Sequence, residues 1–192
     1  MPDIDIDFAD RNEILERISH IAASRKEKDS ITKHNTGVYL HEVPFDPLKN
    51  ICAIPYDSAE ELSYFKIDFL NVGIYKDIKS EEHLDRLMNT EPMWELFEKD
   101  EFNCLLFHIN GHGDILRKTK PRSVEQLAAV LAMIRPAKRH LIGKSWNDVD
   151  KEVWERPKSD EYHFKKSHSI AYAMAVIVQA NLICEQLADN DD

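Results

Sequence analysis

Residues 2–8 read PDIDIDF, with a carboxylate at every second position. Alternate side chains of a strand share a face, so Asp3, Asp5 and Asp7 line one side and Ile4, Ile6 and Phe8 the other. Like charges so close repel one another, and Asp has low strand propensity, so the pattern calls for compensation. A hard divalent cation such as Mg2+ supplies it, because such ions take oxygen ligands, commonly one or two carboxylates completed by water and substrate phosphates. The same alternation also describes a solvated edge strand with an acidic outer face. A further acid, Asp68, sits in the apolar segment SYFKIDFL. Taken alone it reads as a strand-end acid paired with a neighbour such as Lys66.

Other residues suit chemistry by type. His108 and His112 stand four apart, as in a helical zinc pair, but the Ile-Asn-Gly between them lacks a catalytic Glu and includes a helix breaker. Trp94, Trp146 and Trp154 can stack on bases, and equally well fill a core or meet a partner. The net charge of −10 opposes a nucleic-acid reading, yet its distribution is uneven. Basic residues gather in Arg117, Lys118, Lys120 and Arg122, in Arg135, Lys138, Arg139, His140 and Lys144, and in Lys165, Lys166 and His168. Each run by itself is also what a solvated surface looks like.

The elements that must position these residues follow from periodicity and punctuation. Asp10 with Glu13 starts a helix that Ile14, Ile18 and Ile21 carry to about Ser24. RKEKDSITKHN reads as a connection, GVYLHEV as a strand, ICAI as a shorter one and SYFKIDFL as another. Residues 74–88 read as a helix, and PMWELFEK as a short one. Ser123 and Gln126 form a capping box for a helix ending at Arg135 and Pro136. A last helix runs from about Ser167 to Leu187, apolar nearly all round between Ile170 and Val178 and therefore packed on two sides. Strands early and helices late make an α+β chain. At 192 residues, 43% hydrophobic and 31% charged, it has the composition of one soluble globular unit. No apolar run approaches a membrane span, the acidic start is unlike a signal peptide, and Cys52, Cys104 and Cys184 are too scattered for a disulfide framework. The expectation is a cytoplasmic protein that engages no membrane.

Several segments, in order, resemble bacterial DNA polymerase III alpha subunits, the C family of DNA polymerases. PDIDIDF looks like the palm strand bearing two catalytic aspartates, KHNTGVYL is similar to the family's Lys-His followed by Gly-Val, and FKIDFL looks like the strand of the third aspartate. LLFHING resembles a Phe-Gln-rich stretch at the start of the fingers, AMIRP a helix ending in Arg-Pro-Gly, and FKKSHSIAYA the Asn-Lys-Ser-His block before an Ala-Tyr-Ala helix. The resemblance covers nearly the whole chain, from Pro2 to about Cys184. It implies a palm like that of polymerase beta-type nucleotidyltransferases, a small mixed sheet with helices, over residues 1–90. A mostly helical partial fingers region follows over 91–192, the two in one compact unit.

By that resemblance the activity is template-directed nucleotidyl transfer, with two Mg2+ ions, or Mn2+ in their place, roughly 3.5–4 Å apart. Asp3, Asp5 and Asp68 are the catalytic, metal-holding acids, and Asp7 shares their face without a settled role. Arg135, Lys166, Ser167 and His168 are expected at the triphosphate, with Ser167 alternatively the cap of the last helix. Lys33 and His34 are expected to support the substrate. The implied partners are primer–template DNA, a deoxynucleoside triphosphate and another replication protein or polymerase fragment. The family's Gly-Ser loop before the acidic strand, its phosphoesterase-like domain and its clamp-binding and single-strand-binding parts have no counterpart in this sequence. That motivates an alternative, a catalytically inactive polymerase-like module that binds or modulates a replication complex. Such economy suits a compact genome such as a bacteriophage's, which would place the protein in the host cytoplasm.

Overall fold

A computed structural model describes residues 4–28, 30–157 and 163–190. The chain is mixed α+β with a small mixed sheet, and it divides into two compact units, Met1–Asp77 and Ile78–Asp192.

In the first unit β1 (Ile4–Phe8), β2 (Ile21–Glu27), β3 (Ser30–Tyr39) and β6 (Ile67–Asn71) form a sheet in the order β1-β6-β3-β2. β1 runs parallel to β6, and the other pairs are antiparallel. A second hairpin joins β4 (Phe45–Asp46) to β5 (Ile51–Cys52), and α2 (Tyr56–Glu61) follows it. The core here is small: Ala23, Tyr39, Val43, Cys52 and Ala59 pack together, and the buried Ser24 hydroxyl donates to the Ile54 carbonyl at 2.8 Å. The apolar side of β1 is only half used. Phe8 packs on Phe69, ring centroids 4.8 Å apart, while Ile4 and Ile6 stay 40% and 38% exposed.

Two readings of this region change. The helix expected from Asp10 to Ser24 is only α1 (Arg11–Leu15), and Ile21 opens β2 instead. Asp10 does cap α1, accepting the Asn12 N–H at 3.0 Å. No residue of α1 is buried, so nothing stabilises its propagation, whereas residues 21–25 gain a backbone ladder and bury Ala22, Ala23 and Ser24. RKEKDSITKHN, read as a connection, is most of a β2–β3 hairpin. A ribbon held by its backbone needs little apolar patterning, which is why periodicity missed it.

The second unit is helical: α3 (Glu81–Asn89), α4 (Asp100–Asn103), α5 (Gly113–Thr119), α6 (Val124–Met133), α7 (Trp146–Glu152) and α8 (Lys166–Asn190), with 3-10 turns over Trp94–Glu98 and Pro136–Leu141. The helix expected over 74–88 is divided, because a 3-10 turn covers Gly73–Asp77 and Ser80 caps a new helix by accepting the His83 N–H at 3.1 Å. The capping box holds: Ser123 accepts the Gln126 N–H at 3.2 Å, and the Gln126 side chain accepts the Arg122 N–H at 2.8 Å. Leu127, Val130, Leu131 and Ile134 of α6 and its end are buried with Ala173, Val176, Ile177 and Ala180 of α8. By length and composition α8 would suffice to cross a membrane, contrary to the expectation of no such run. Its Ala173, Val176, Ile177 and Ala180 are packed into this core. Glu185 ties α8 to α3 through Arg86 at 2.8 Å and the buried His83 at 3.3 Å.

Candidate functional site

The parallel pairing of β1 and β6 sets Asp5 opposite Asp68 and Asp7 opposite Leu70. Register partners share a face, so Asp5 and Asp68 stand side by side on strands about 4.8 Å apart. Asp7 follows on the same face, and burial together with the Asp5 charge pushes its carboxyl up. The Tyr75 phenol is pushed up as well, by burial and then by Asp7. Asp3 lies outside the described residues.

A register irregularity in β3 completes the cluster. Ala22 pairs with Val38 but Ser24 pairs with Lys33, so residues 34–37 bulge out of the ladder, a device that re-aims side chains. Thr36 Oγ1 consequently donates to Asp68 Oδ1 at 2.6 Å. His34 Nδ1 accepts the Gly37 N–H at 2.9 Å and stands 3.7 Å from Asp68 Oδ1. A nitrogen that accepts a backbone N–H carries no proton, and burial followed by Lys66 holds the His34 pKa down, so this imidazole is a neutral neighbour of Asp68 rather than its ion-pair partner. Lys66 Nζ donates to Asp68 Oδ2, both side chains being mostly buried. Its aliphatic stem crosses Gly37, where an added Cβ would lie 2.7 Å from Lys66 Cδ. Tyr56 of α2 closes the other side, its ring 5.7 Å from Lys66 Nζ and 5.2 Å from the His34 ring. Arg11 donates to the Asn35 carbonyl, and burial lowers its pKa against the pull of Asp68.

This face offers a carboxylate pair. Among the described residues no group of three His, Cys, Asp or Glu side chains is disposed to hold a metal ion. A hard divalent ion needs only one or two protein carboxylates when water and substrate phosphates complete its shell, so Asp5 and Asp68 fit it by donor type and placement. Lys66 and Thr36 now satisfy the two oxygens of Asp68, and an ion would have to displace the ammonium from Oδ2. Lys33, the other candidate in this unit, is an exposed residue of β3.

The remaining candidates belong to the second unit. Arg135 follows α6, lies over the Phe164 ring at 4.1 Å and approaches His108 Nδ1 with Nη2 at 3.3 Å. His108 adopts φ 61, and its ring packs 4.4 Å from both Phe107 and Tyr172. Burial, then the Arg135 charge, brings its pKa down to about 4, so the ring is neutral and accepts from the guanidinium. His108 therefore belongs to an aromatic cluster with Arg135, while His112 precedes α5. Lys166 opens α8 with Nζ 6.0 Å from the Trp154 ring, Ser167 is exposed beside it, and His168 is half-buried in the same turn. Trp94 is core.

Sequence reasoning missed Thr36, Gly37 and Arg11. Only the bulge aims Thr36 at Asp68, and nothing in KHNTGVYL announces a bulge. Lys66 was legible, being two residues from Asp68 on one strand face. Compared with known proteins, the chain matches no family model, no curated protein and no solved structure.

Proposed function

We propose that the chain performs template-directed nucleotidyl transfer from a deoxynucleoside triphosphate to a primer 3′-hydroxyl, with the first unit as a palm and the second as partial fingers. The observation that carries this reading is the in-register placement of Asp5 and Asp68 on adjacent parallel strands. When bound, two Mg2+ ions would activate the primer hydroxyl and stabilise the departing pyrophosphate. The chain's own residues position the rest. The β1–β6 ladder sets the carboxylate separation, and Thr36 orients Asp68 through Oδ1. Lys66 neutralises Asp68, which with Asp5 would hold a divalent ion. By the resemblance Asp3 would serve with them, and Asp7 remains available on the face of Asp5. Arg135, Lys166, Ser167 and His168 are the candidates for the triphosphate and Lys33 and His34 for substrate support, and another replication protein completes the assembly.

The test is primer extension with Mg2+ or Mn2+, comparing the chain with its Asp5→Ala and Asp68→Ala variants. Extension should disappear in both while far-UV circular dichroism is unchanged; extension retained in either overturns the assignment. One observation favours a second reading, a non-catalytic module docking on a replication complex. Both oxygens of Asp68 already have donors, so the carboxylate is satisfied without an ion. Under that reading neither metal-dependent extension nor metal-linked stabilisation occurs, and a replication subunit co-purifies equally with the Asp5→Ala variant.

A further inference from the structure

We propose that the β2–β3 ribbon is a contact surface for the phosphate backbone of duplex DNA. β3 pairs with β6 only at Gly37 and Val38, so beyond Ser24, which bridges Pro55, the two arms pair with each other alone among the described residues. Antiparallel partners share a face. Lys26 opposite Ile31 and Lys33 opposite Ser24 therefore lie on one face, with Arg25 opposite Thr32 and Glu27 opposite Ser30 on the other.

The two faces differ in charge. On the second, Glu27 stands 3.8 Å from Arg25 and accepts from Thr32 at 3.2 Å, so the guanidinium is balanced locally. The first face carries no acid among the described residues, and its Lys26 and Lys33 are diagonal neighbours about 7–8 Å apart. Two more cations flank them: Lys28 at the turn, with φ 53, and Lys49, whose ammonium donates to the Ile31 carbonyl at 3.1 Å. All four lysines are exposed. Residues 25–33 hold four Lys or Arg against two acids, in a chain of net charge −10. Exposed ammonium groups gathered on one face can replace the counterions of a polyanion, and a two-stranded ribbon fits the major groove of B-DNA. The surface needs neither the carboxylates nor a metal, although it shares Lys33 with the substrate support of the proposed function.

The test is fluorescence anisotropy with a labelled 20-base-pair duplex, in EDTA and without nucleotide, across a salt series. The full chain should bind at low salt, and Lys26→Ala/Lys28→Ala/Lys33→Ala should flatten the slope of log K against log salt by about 2.7. The corresponding Lys→Arg triple variant should retain binding. A control with the same charge loss in the second unit, Lys118→Ala/Lys120→Ala/Lys151→Ala, should leave the slope nearly unchanged. The proposal is overturned if the full chain does not bind, if the ribbon variant keeps its slope, or if the control loses as much. Because carboxylates and metal play no part, a negative primer-extension assay would leave this result standing.

Discussion

Each unit holds a partly buried charge next to an imidazole, and each handles it differently. In the first, Asp68 is met by an ammonium and a hydroxyl, with His34 neutral beside it. In the second, Arg135 is spread over the Phe164 ring, and a neutral His108 accepts from it. The surroundings differ as much. The Asp68 cluster rests on a sheet whose core is a handful of small residues and Tyr39, while the Arg135 cluster borders the large core of α6 and α8. Polar partners can be exchanged for a ligand at the cost of one hydrogen bond, but aromatic packing cannot be rearranged without opening a cavity. The first unit is therefore suited to an adaptable site and the second to a rigid support.

The largest effect that would break this contrast is in the second core. Leu131→Ala should cost about 2–5 kcal/mol, because Leu131 is fully buried between α6 and its neighbours. Hydrogen exchange read by mass spectrometry should show the loss of protection in α6 and α8; uniform loss over residues 4–77 as well would mean that the first unit depends on this core and not on its own. A pH effect comes next. The His108 pKa lies near 4 when folded against an ordinary value near 6.5, so the unfolded chain binds a proton first as pH falls. The stability that rests on the neutral ring is complete above pH 6.5 and declines toward pH 4, by up to about 3 kcal/mol. His108→Asn, which tolerates the positive φ, should flatten that part of a urea-midpoint profile; an unchanged profile would remove His108 as its source.

Gly37→Ala sharpens the first-unit half of the comparison. The new Cβ would meet Lys66 Cδ at 2.7 Å and both Ala23 Cβ and His34 Nδ1 at 3.0 Å. A destabilisation of about 1–3 kcal/mol is expected, together with displacement of Lys66 from Asp68. If the cluster is as adaptable as described, divalent-ion stabilisation of this variant should rise relative to the parent chain, since the competing ammonium is weakened; a fall would show that Lys66 assists the ion. The smallest effect is Ser123→Ala, which removes the cap of α6 and should lower stability by about 1 kcal/mol in urea unfolding, with no change at the Asp68 cluster.

The parts of the fold legible in sequence were those whose signals are local. α6 was readable because Ser123 and Gln126 mark its start, Leu127, Val130, Leu131 and Ile134 repeat on its buried side, and Pro136 follows its end. α8 was readable because its apolar run exceeds any strand. The candidate site was half legible: alternation put Asp5 and Asp7 on one face, and Lys66 two residues before Asp68 suggested their pairing. The first hairpin was not legible, because Ile14, Ile18 and Ile21 keep helical spacing although Ile21 belongs to a strand.

By itself the sequence determined which residues carry charge, which stretches can bury an apolar face and where α6 is capped, since these depend on side-chain type and on neighbours within a few positions. Only the tertiary structure decided that Asp5 faces Asp68 across sixty-odd residues, that residues 34–37 bulge to aim Thr36 at the same carboxylate, and that His108 stays neutral under Arg135. Strand register and desolvation are set by partners distant in sequence, and no local pattern encodes a distant partner.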